Sequence, residues 1–258
     1  MNVLESSFVL LGGIGRGKEG KLWAAGIVDW AHFLATADIP GVGKKRKAAL
    51  DANLRALQKC LALGNSHILA EALPSGERWR LYPDFRDDAA FLDIETTGLD
   101  LPATVTVVGI YLKGEYTPLV RGISLSAAAI QRALKGAKLL ITFNGGSFDL
   151  PALRMAFPSL DLDIPHIDIR HLAPRAGIHG GLKKVERDLG IGRARDIKML
   201  VSHDAVYLWR IWERKQSGNA LRLLIDYNRA DTENLQTVAD IVVRRMVAMC
   251  GIPCRSVG

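Results

Sequence analysis

Phe91-Leu92-Asp93-Ile94-Glu95-Thr96-Thr97-Gly98-Leu99 decides how the rest of the chain is read. Ala89 to Ile94 has the composition of a buried strand, and it runs into a turn of small residues. Side chains alternate across a strand, so Asp93 and Glu95 leave it on one face. Two carboxylates at that spacing repel each other unless a positive charge lies between them. A divalent cation that favours oxygen ligands meets that need. The plainer alternative is a solvated strand end with two surface acids, so the choice rests on what else the chain carries.

The chain has 258 residues, 48% of them hydrophobic and 24% charged, which suits one large or two modest globular domains. Its net charge of +7 fits a polyanionic partner. Cys60, Cys250 and Cys254 are too few and too scattered for a disulfide framework, and they lack the partners of a zinc site. A reducing compartment and a cytoplasmic location are expected. Phe8 to Ile14 is apolar but short, with no basic stretch before it, and no segment has the length of a membrane span.

Two glycine turns punctuate the first eighty-odd residues. Phe8-Val-Leu-Leu-Gly-Gly-Ile-Gly15 precedes a helical pattern through Leu22, Ile27 and Trp30. Ile39-Pro-Gly-Val-Gly43 leads into Lys44-Lys45-Arg46-Lys47 and a helix striped by Leu50, Leu54, Leu57 and Leu61. The second turn and its basic residues resemble the hairpin of helix–hairpin–helix DNA-binding modules, the first turn less closely, and the resemblance implies backbone N–H groups that approach a phosphate, helped by the N-terminus of the following helix. Gly41, Gly43, Lys44 and Lys45 are the candidate contacts. Residues 1–60 hold nine basic side chains against five acidic ones, which agrees. Contacts of this kind are blind to base sequence and sensitive to salt. A small bundle with capping glycines and solvated lysines is the bland reading.

The same glycines imitate two nucleotide motifs. Gly12 to Gly17-Lys18 copies most of a phosphate-binding loop, but Glu19 stands where Ser or Thr should be. Gly15-x-Gly17-x-x-Gly20 matches a dinucleotide fingerprint without the βαβ unit it requires. Both are rejected. Further on, Arg78-Trp79-Arg80-Leu-Tyr82-Pro83-Asp84-Phe85 reads as a strap between domains in preference to a base-stacking platform.

After the acidic strand, Thr104 to Leu112 and Tyr116 to Val120 continue an antiparallel set, and Ser124 is expected to cap a helix through Leu134. Ala137 to Phe143 is a further buried strand ending in Asn144-Gly-Gly-Ser-Phe148-Asp149, where a helix begins. An acid at a helix start has a purely structural explanation in the helix dipole. His166 to Ile169 is a short strand. The remainder is helical: Leu182 to Leu189, Asp204 to Arg214, then one or two long helices from Ala220 to Met249. In the last, Tyr227 and Asp231 share a face at i,i+4.

Taken together, Asp93-Ile-Glu95-Thr96, Asn144 to Phe148-Asp149 and Tyr227-Asn-Arg-Ala-Asp231 resemble the three motifs of the DEDD exonucleases, within the ribonuclease-H-like superfamily. The likeness is strongest to the YprB-type group and the tyrosine subclass, and covers about residues 78–250. A histidine subclass member would carry His where Asp226 stands. The resemblance implies an α/β ribonuclease-H-like domain, a mixed sheet flanked by helices, and the hairpin-bearing residues before it read as a small all-α helix–hairpin–helix-like domain. The expected boundaries are 1–76 for the helical part, 77–88 for the strap, 89–250 for the nuclease domain and 251–258 for a tail.

It also implies roles. Asp93, Glu95, Asp149 and Asp231 would hold two divalent cations, Mg2+ or Mn2+, and Tyr227 would act as the fifth catalytic group by handling the attacking water. Thr96, Thr97 and Leu99 would hold the terminal nucleotide, with Asn144 bracing the second motif. The implied activity is 3′→5′ exonucleolysis of nucleic acid, DNA being favoured because of the hairpins. An exoribonuclease, and a non-catalytic binding protein on a nuclease fold, are the rival readings. His166 and Asp168 are candidates for supporting the site. Lys183, Lys184 and Arg187 read equally as backbone contacts or as a solvated helix face.

Overall fold

A computed structural model describes residues 2–98, 103–200 and 202–253. Leu99 and Cys254 lie outside the described residues. By compactness the chain divides into Met1–Arg86 together with Val243–Gly258, and Asp87–Val242.

The first unit is helical: α1 (Arg16–Ala24), α2 (Trp30–Ala35), α3 (Lys44–Ala62), α4 (Ser66–Ala72), a 3-10 stretch Ser75–Leu81 and the short α5 (Tyr82–Phe85). Its core holds Phe8, Trp30, Phe33, Leu54 and Leu69. A buried ion cluster ties its ends together. Arg80 is fully buried and donates to both oxygens of Glu19 at 2.9 Å and to Glu77 at 2.8 Å. Glu19 also accepts the backbone N–H groups of Phe8 and Val9. Removing one partner of such a cluster costs about 3–5 kcal/mol, because the other charge is left buried and alone. Glu19 is therefore a structural acid, which accounts for its place in the false phosphate-loop string. Trp79 and Arg80 lie inside this unit and are only 2% and 0% exposed, so neither is a surface for stacking a base.

The hairpin at Ile39–Val42 is a tight turn in which Val42 N–H donates to Ile39 C=O at 3.0 Å and Gly41 takes φ +76°. Pro40 fixes the preceding φ, and glycine is the residue that tolerates the left-handed one. Gly43 then precedes α3. Lys44, Lys45 and Arg46 are exposed, whereas Lys47 is buried against Asp51 at 2.7 Å and over the Phe33 ring. Lys47 therefore belongs to the core and not to the basic surface expected from 44–47.

The second unit carries β1 (Ala89–Thr96), β2 (Val105–Leu112), β3 (Glu115–Val120), α6 (Ala127–Ala133), β4 (Leu139–Thr142), α7 (Asp149–Ala156), β5 (His166–Asp168), α8 (Ile169–Leu172), α9 (Leu182–Asp188), α10 (Ser202–Lys215) and α11 (Gly218–Cys250). The C-terminal stretch of α11 from Val243 counts with the first unit. Helix α6 starts after Ser126, not Ser124. Ser126 accepts Ala129 N–H, while Ser124 accepts Val120 N–H at the end of β3. None of the helices in the described residues is long and apolar enough to cross a membrane.

The five strands form one mixed sheet in the order β3-β2-β1-β4-β5. β1, β2 and β3 are antiparallel, and β4 and β5 join parallel to β1. Lys113 and Gly114, both at positive φ, make the two-residue turn whose twist suits a hairpin. Pro118 sits in β3, at an edge, where a missing backbone donor is tolerated. Ala90, Leu92 and Ile94 of β1 pack with Ile130, Leu150 and Leu153 in one core. The second core gathers Val107 and Val120 with Leu208, Trp209, Leu224 and Tyr227. Strand alternation thus sends Asp93 and Glu95 to the face opposite Leu92 and Ile94.

One glycine sets how closely α11 can approach. Gly109 pairs with Asp93 across the sheet, and a Cβ there would lie 1.9 Å from Asn228 Oδ1 and 2.8 Å from Thr232 Oγ1. Gly109→Ala is expected to lower stability by about 2–4 kcal/mol, because α11 must move off the sheet. Urea unfolding of the variant against the parent measures this, and a loss within about 0.5 kcal/mol would contradict the packing described.

Candidate active site

Asp93 and Glu95 lie on β1, and Asp231 on α11. Each offers a carboxylate oxygen, and the three oxygens lie within 4.8 Å of one another. Asp149, first residue of α7, lines the same recess of about 250 Å³ without joining that close trio. Its Oδ1 accepts Ile94 N–H at 3.2 Å, which fastens α7 to the strand between the two acids. Thr96, Asn144 and Tyr227 complete the expected residues that face the recess. Thr97 does not line it; its hydroxyl accepts Thr104 N–H. The hydroxyl of Thr96 donates to Gly98 C=O. Gly41, Gly43, Lys44 and Lys45 belong to the other unit.

Electrostatics in the recess are severe. Burial raises the Asp93 carboxyl well above its ordinary range, and the neighbouring Asp231 and Glu95 charges push it further. Glu95 is raised for the same reasons, burial first and Asp231 next. Asp149 rises to about 7, mainly through burial. Crowded carboxylates of this kind are stable as anions only beside compensating positive charge. All the donors are hard oxygens, with no sulfur or imidazole in the trio, which fits a hard divalent cation better than a soft metal.

The loop behind Asp149 is held from β4 and β5 by Thr142, His166 and Asp168, which do not line the recess. Asn144 takes φ +72°, a left-handed conformation that Asn tolerates better than most residues. Its N–H and that of Gly146 both donate to Asp168, at 2.8 and 3.1 Å. His166 pairs with Thr142 at 2.8 Å, and Thr142 accepts Gly145 N–H. A Cβ on Gly145 would meet Thr142 Oγ1 at 2.4 Å. Asp168 and His166 thus position the second acidic segment from β5.

Asn228 and Arg193 at the site carry no signal in the sequence, and Lys183 takes a place different from the one expected. Asn228, fully buried, donates to Asp93 Oδ2 at 2.8 Å and reaches Glu95 at 3.5 Å, while Tyr116 O–H donates to Asn228 at 2.9 Å. It sits beside Tyr227, among the unspecified positions of the third motif. Arg193 pairs with Asp231 and Glu186, and nothing in its surrounding loop signals this. Lys183, read as a backbone contact or solvated face, instead places Nζ 4.3 Å from the centre of the Tyr227 ring and donates to Leu200 C=O. Tyr227 itself is 2% exposed. Lys184 is exposed and paired with Asp188.

A family model described as the RNase H superfamily matches residues 90–243, more than half of the chain. The chain belongs to the RNase H superfamily. No curated protein and no solved structure shows significant similarity to it. The RNase H superfamily membership agrees with the mixed five-stranded sheet, and it implies a nucleic-acid substrate for the buried trio Asp93, Glu95 and Asp231.

The raised acids give a pH dependence with a definite sign. Asp93, Glu95 and Asp149 bind protons more tightly folded than unfolded, so stability without divalent ions falls as pH rises above the ordinary carboxylate range, the Asp149 share being lost through about 7. A bound cation takes the place of those protons. Thermal unfolding in Mn2+ and in EDTA, at about pH 5 and about pH 7.5, is expected to show a Tm gap that widens with pH. An equal gap at both would count against a shared acidic cation site.

Proposed function

We propose that this RNase H superfamily protein is a metal-dependent 3′→5′ exonuclease of the DEDD type, tyrosine subclass, acting on DNA in preference to RNA. The observation that carries the reading is the convergence of three separated motifs, through Asp93, Glu95, Asp149, Tyr227 and Asp231, on one recess. Asp93, Glu95 and Asp231 would hold divalent cations, with Asp149 beside them. Such ions supply a readily deprotonated water and a sink for charge on the leaving oxygen.

The chain's own side chains would do the rest. Tyr227 stands at the recess with its ring under the Lys183 ammonium, a place from which its phenol can orient the attacking water or take a proton from it. Asn228 holds Asp93 by a directed hydrogen bond, so that carboxylate keeps one orientation while charge develops at the phosphate. Thr96 and Asn144 lie on the wall of the recess and would bound the terminal nucleotide. In the first unit the exposed Lys44 and Lys45 follow the Pro40-Gly41-Val42-Gly43 turn at the start of a 19-residue helix, an arrangement suited to a phosphate backbone.

Oligonucleotides of one sequence, as 5′-labelled DNA and RNA, test the reading directly. In Mn2+ the expected products shorten from the 3′ end, faster for DNA, and EDTA stops them. Asp93→Asn is expected to remove cleavage while leaving binding within about threefold, and Tyr227→Phe to slow it by about 10²–10⁴. Internal cuts in a circular single strand, or full activity of Asp93→Asn, would defeat the assignment. Lys44→Glu with Lys45→Glu is expected to weaken DNA binding and reduce its log–log salt slope by about 0.7–0.9 for each phosphate no longer neutralised. An unchanged slope would discard the hairpin as a binding element.

A further inference from the structure

The acidic trio has a charged neighbour that the three motifs do not account for. Arg193, in the segment after α9, sets its guanidinium between Glu186 of α9 and Asp231 of α11. Nε donates to Glu186 at 2.7 Å, and Nη2 donates to Asp231 while lying 2.6 Å from the same Glu186 oxygen. The side chains of Arg193, Glu186 and Asp231 are only 5%, 3% and 11% exposed. Asn234 holds the other oxygen of Glu186 at 3.0 Å. Among the described residues, Arg193 is the cation in an ion pair with the trio. Its Nη1 is buried without an acceptor, so the guanidinium is satisfied along one edge only.

A divalent ion held by Asp93, Glu95 and Asp231 draws on the same carboxylate that Arg193 neutralises. In surroundings this dry, two cations on one carboxylate oppose each other far more than they would in water. Guanidinium keeps its charge at any working pH, so the opposition is permanent. We infer that Arg193 is an internal competitor for the cation site: a positioning residue that holds Asp231 in an ion pair, sets a ceiling on ion affinity, and is itself restrained by Glu186. This rests on reading the trio as a divalent-cation site. Glu186 matters because it shares Nη2 with Asp231 and takes Nε outright, so part of the guanidinium charge is spent away from the trio.

The ordinary alternative is that Arg193 only braces Asp231, and the two roles differ in sign. Calorimetric binding of Mn2+ alone to the full-length protein separates them. Competition predicts that Arg193→Gln tightens Mn2+ binding and Glu186→Gln weakens it, each on the order of tenfold. Arg187→Gln, an exposed charge on the same helix, is the control and stays within about twofold of the parent. Weakened or unchanged binding in Arg193→Gln overturns the inference. If that variant does not fold, Arg193→Lys decides: kept charge without the planar fork leaves affinity within about threefold under competition. A larger loss points to bracing and overturns it. Should the parent bind no Mn2+, the cation-site reading falls first and this inference with it, whereas parent binding with the wrong signs defeats this inference alone.

Discussion

Carboxylate repulsion is the constraint around which the second unit is built. Asp93, Glu95, Asp149 and Asp231 face one small recess, and burial raises the first three well above their ordinary range. An arrangement like this survives only if other contacts hold the acids together. Much of that work falls to neutral donors. Asn228 ties Asp93 and Glu95 to α11, and Ile94 N–H ties Asp149 to β1. Directed hydrogen bonds to a carboxylate favour its charged form without adding a competing ion. Arg193 is the exception, a full charge placed on Asp231 from the side.

The helix carrying Asn228 reaches the sheet because of a gap in the partner strand. Gly109 faces Asp93 across the β1–β2 ladder, and the Asn228 amide fills the space a side chain would take. Thr232, one turn on, returns its hydroxyl to Asn228 C=O at 2.7 Å and so shows no free polar group to the core. Sheet register, one glycine and one asparagine therefore fix the separation between the acids on β1 and the acid on α11. That separation is the quantity a cation would sense, and it is set by packing before any ion enters.

Much of this was legible in the residues, and what was not has a physical reason. The i,i+2 spacing of Asp93 and Glu95 gave their common face, because strand alternation is a local rule. The i,i+4 spacing of Tyr227 and Asp231 did the same on α11. The antiparallel set β1–β3 followed from the strand-like segments themselves, whereas the mixed sheet was implied only by the resemblance that the three motifs carry. Asn228 was hidden because its neighbours in the chain carry the pattern, and its role depends on a glycine 119 positions away. Arg193 was hidden because its loop has no periodicity, and Lys183 because a lysine on a short amphipathic helix usually faces water. The basic run 44–47 was overcounted for the converse reason: Lys47 falls on the buried stripe with Leu50 and Leu54. Spacing shows which residues share a face, but only packing shows which charge on that face is already committed.

The division of the acids between β1 and α11 has a consequence for how binding and folding are linked. Two of the trio are next-but-one neighbours on a strand, so their spacing is fixed by the backbone alone. The third comes from a helix more than a hundred residues later in the chain, and reaches them only when α11 is seated. An ion bridging the three would therefore act as a cross-link between sheet and helix, and its binding energy would add to the stability of that contact. The unfolded chain, in which Asp231 is far from Asp93, could offer no comparable site. Affinity for the ion and the seating of α11 are thus two readings of one equilibrium. Arg193 enters on the same terms: by neutralising Asp231 it helps seat the helix, and by doing so it lowers what the ion can add.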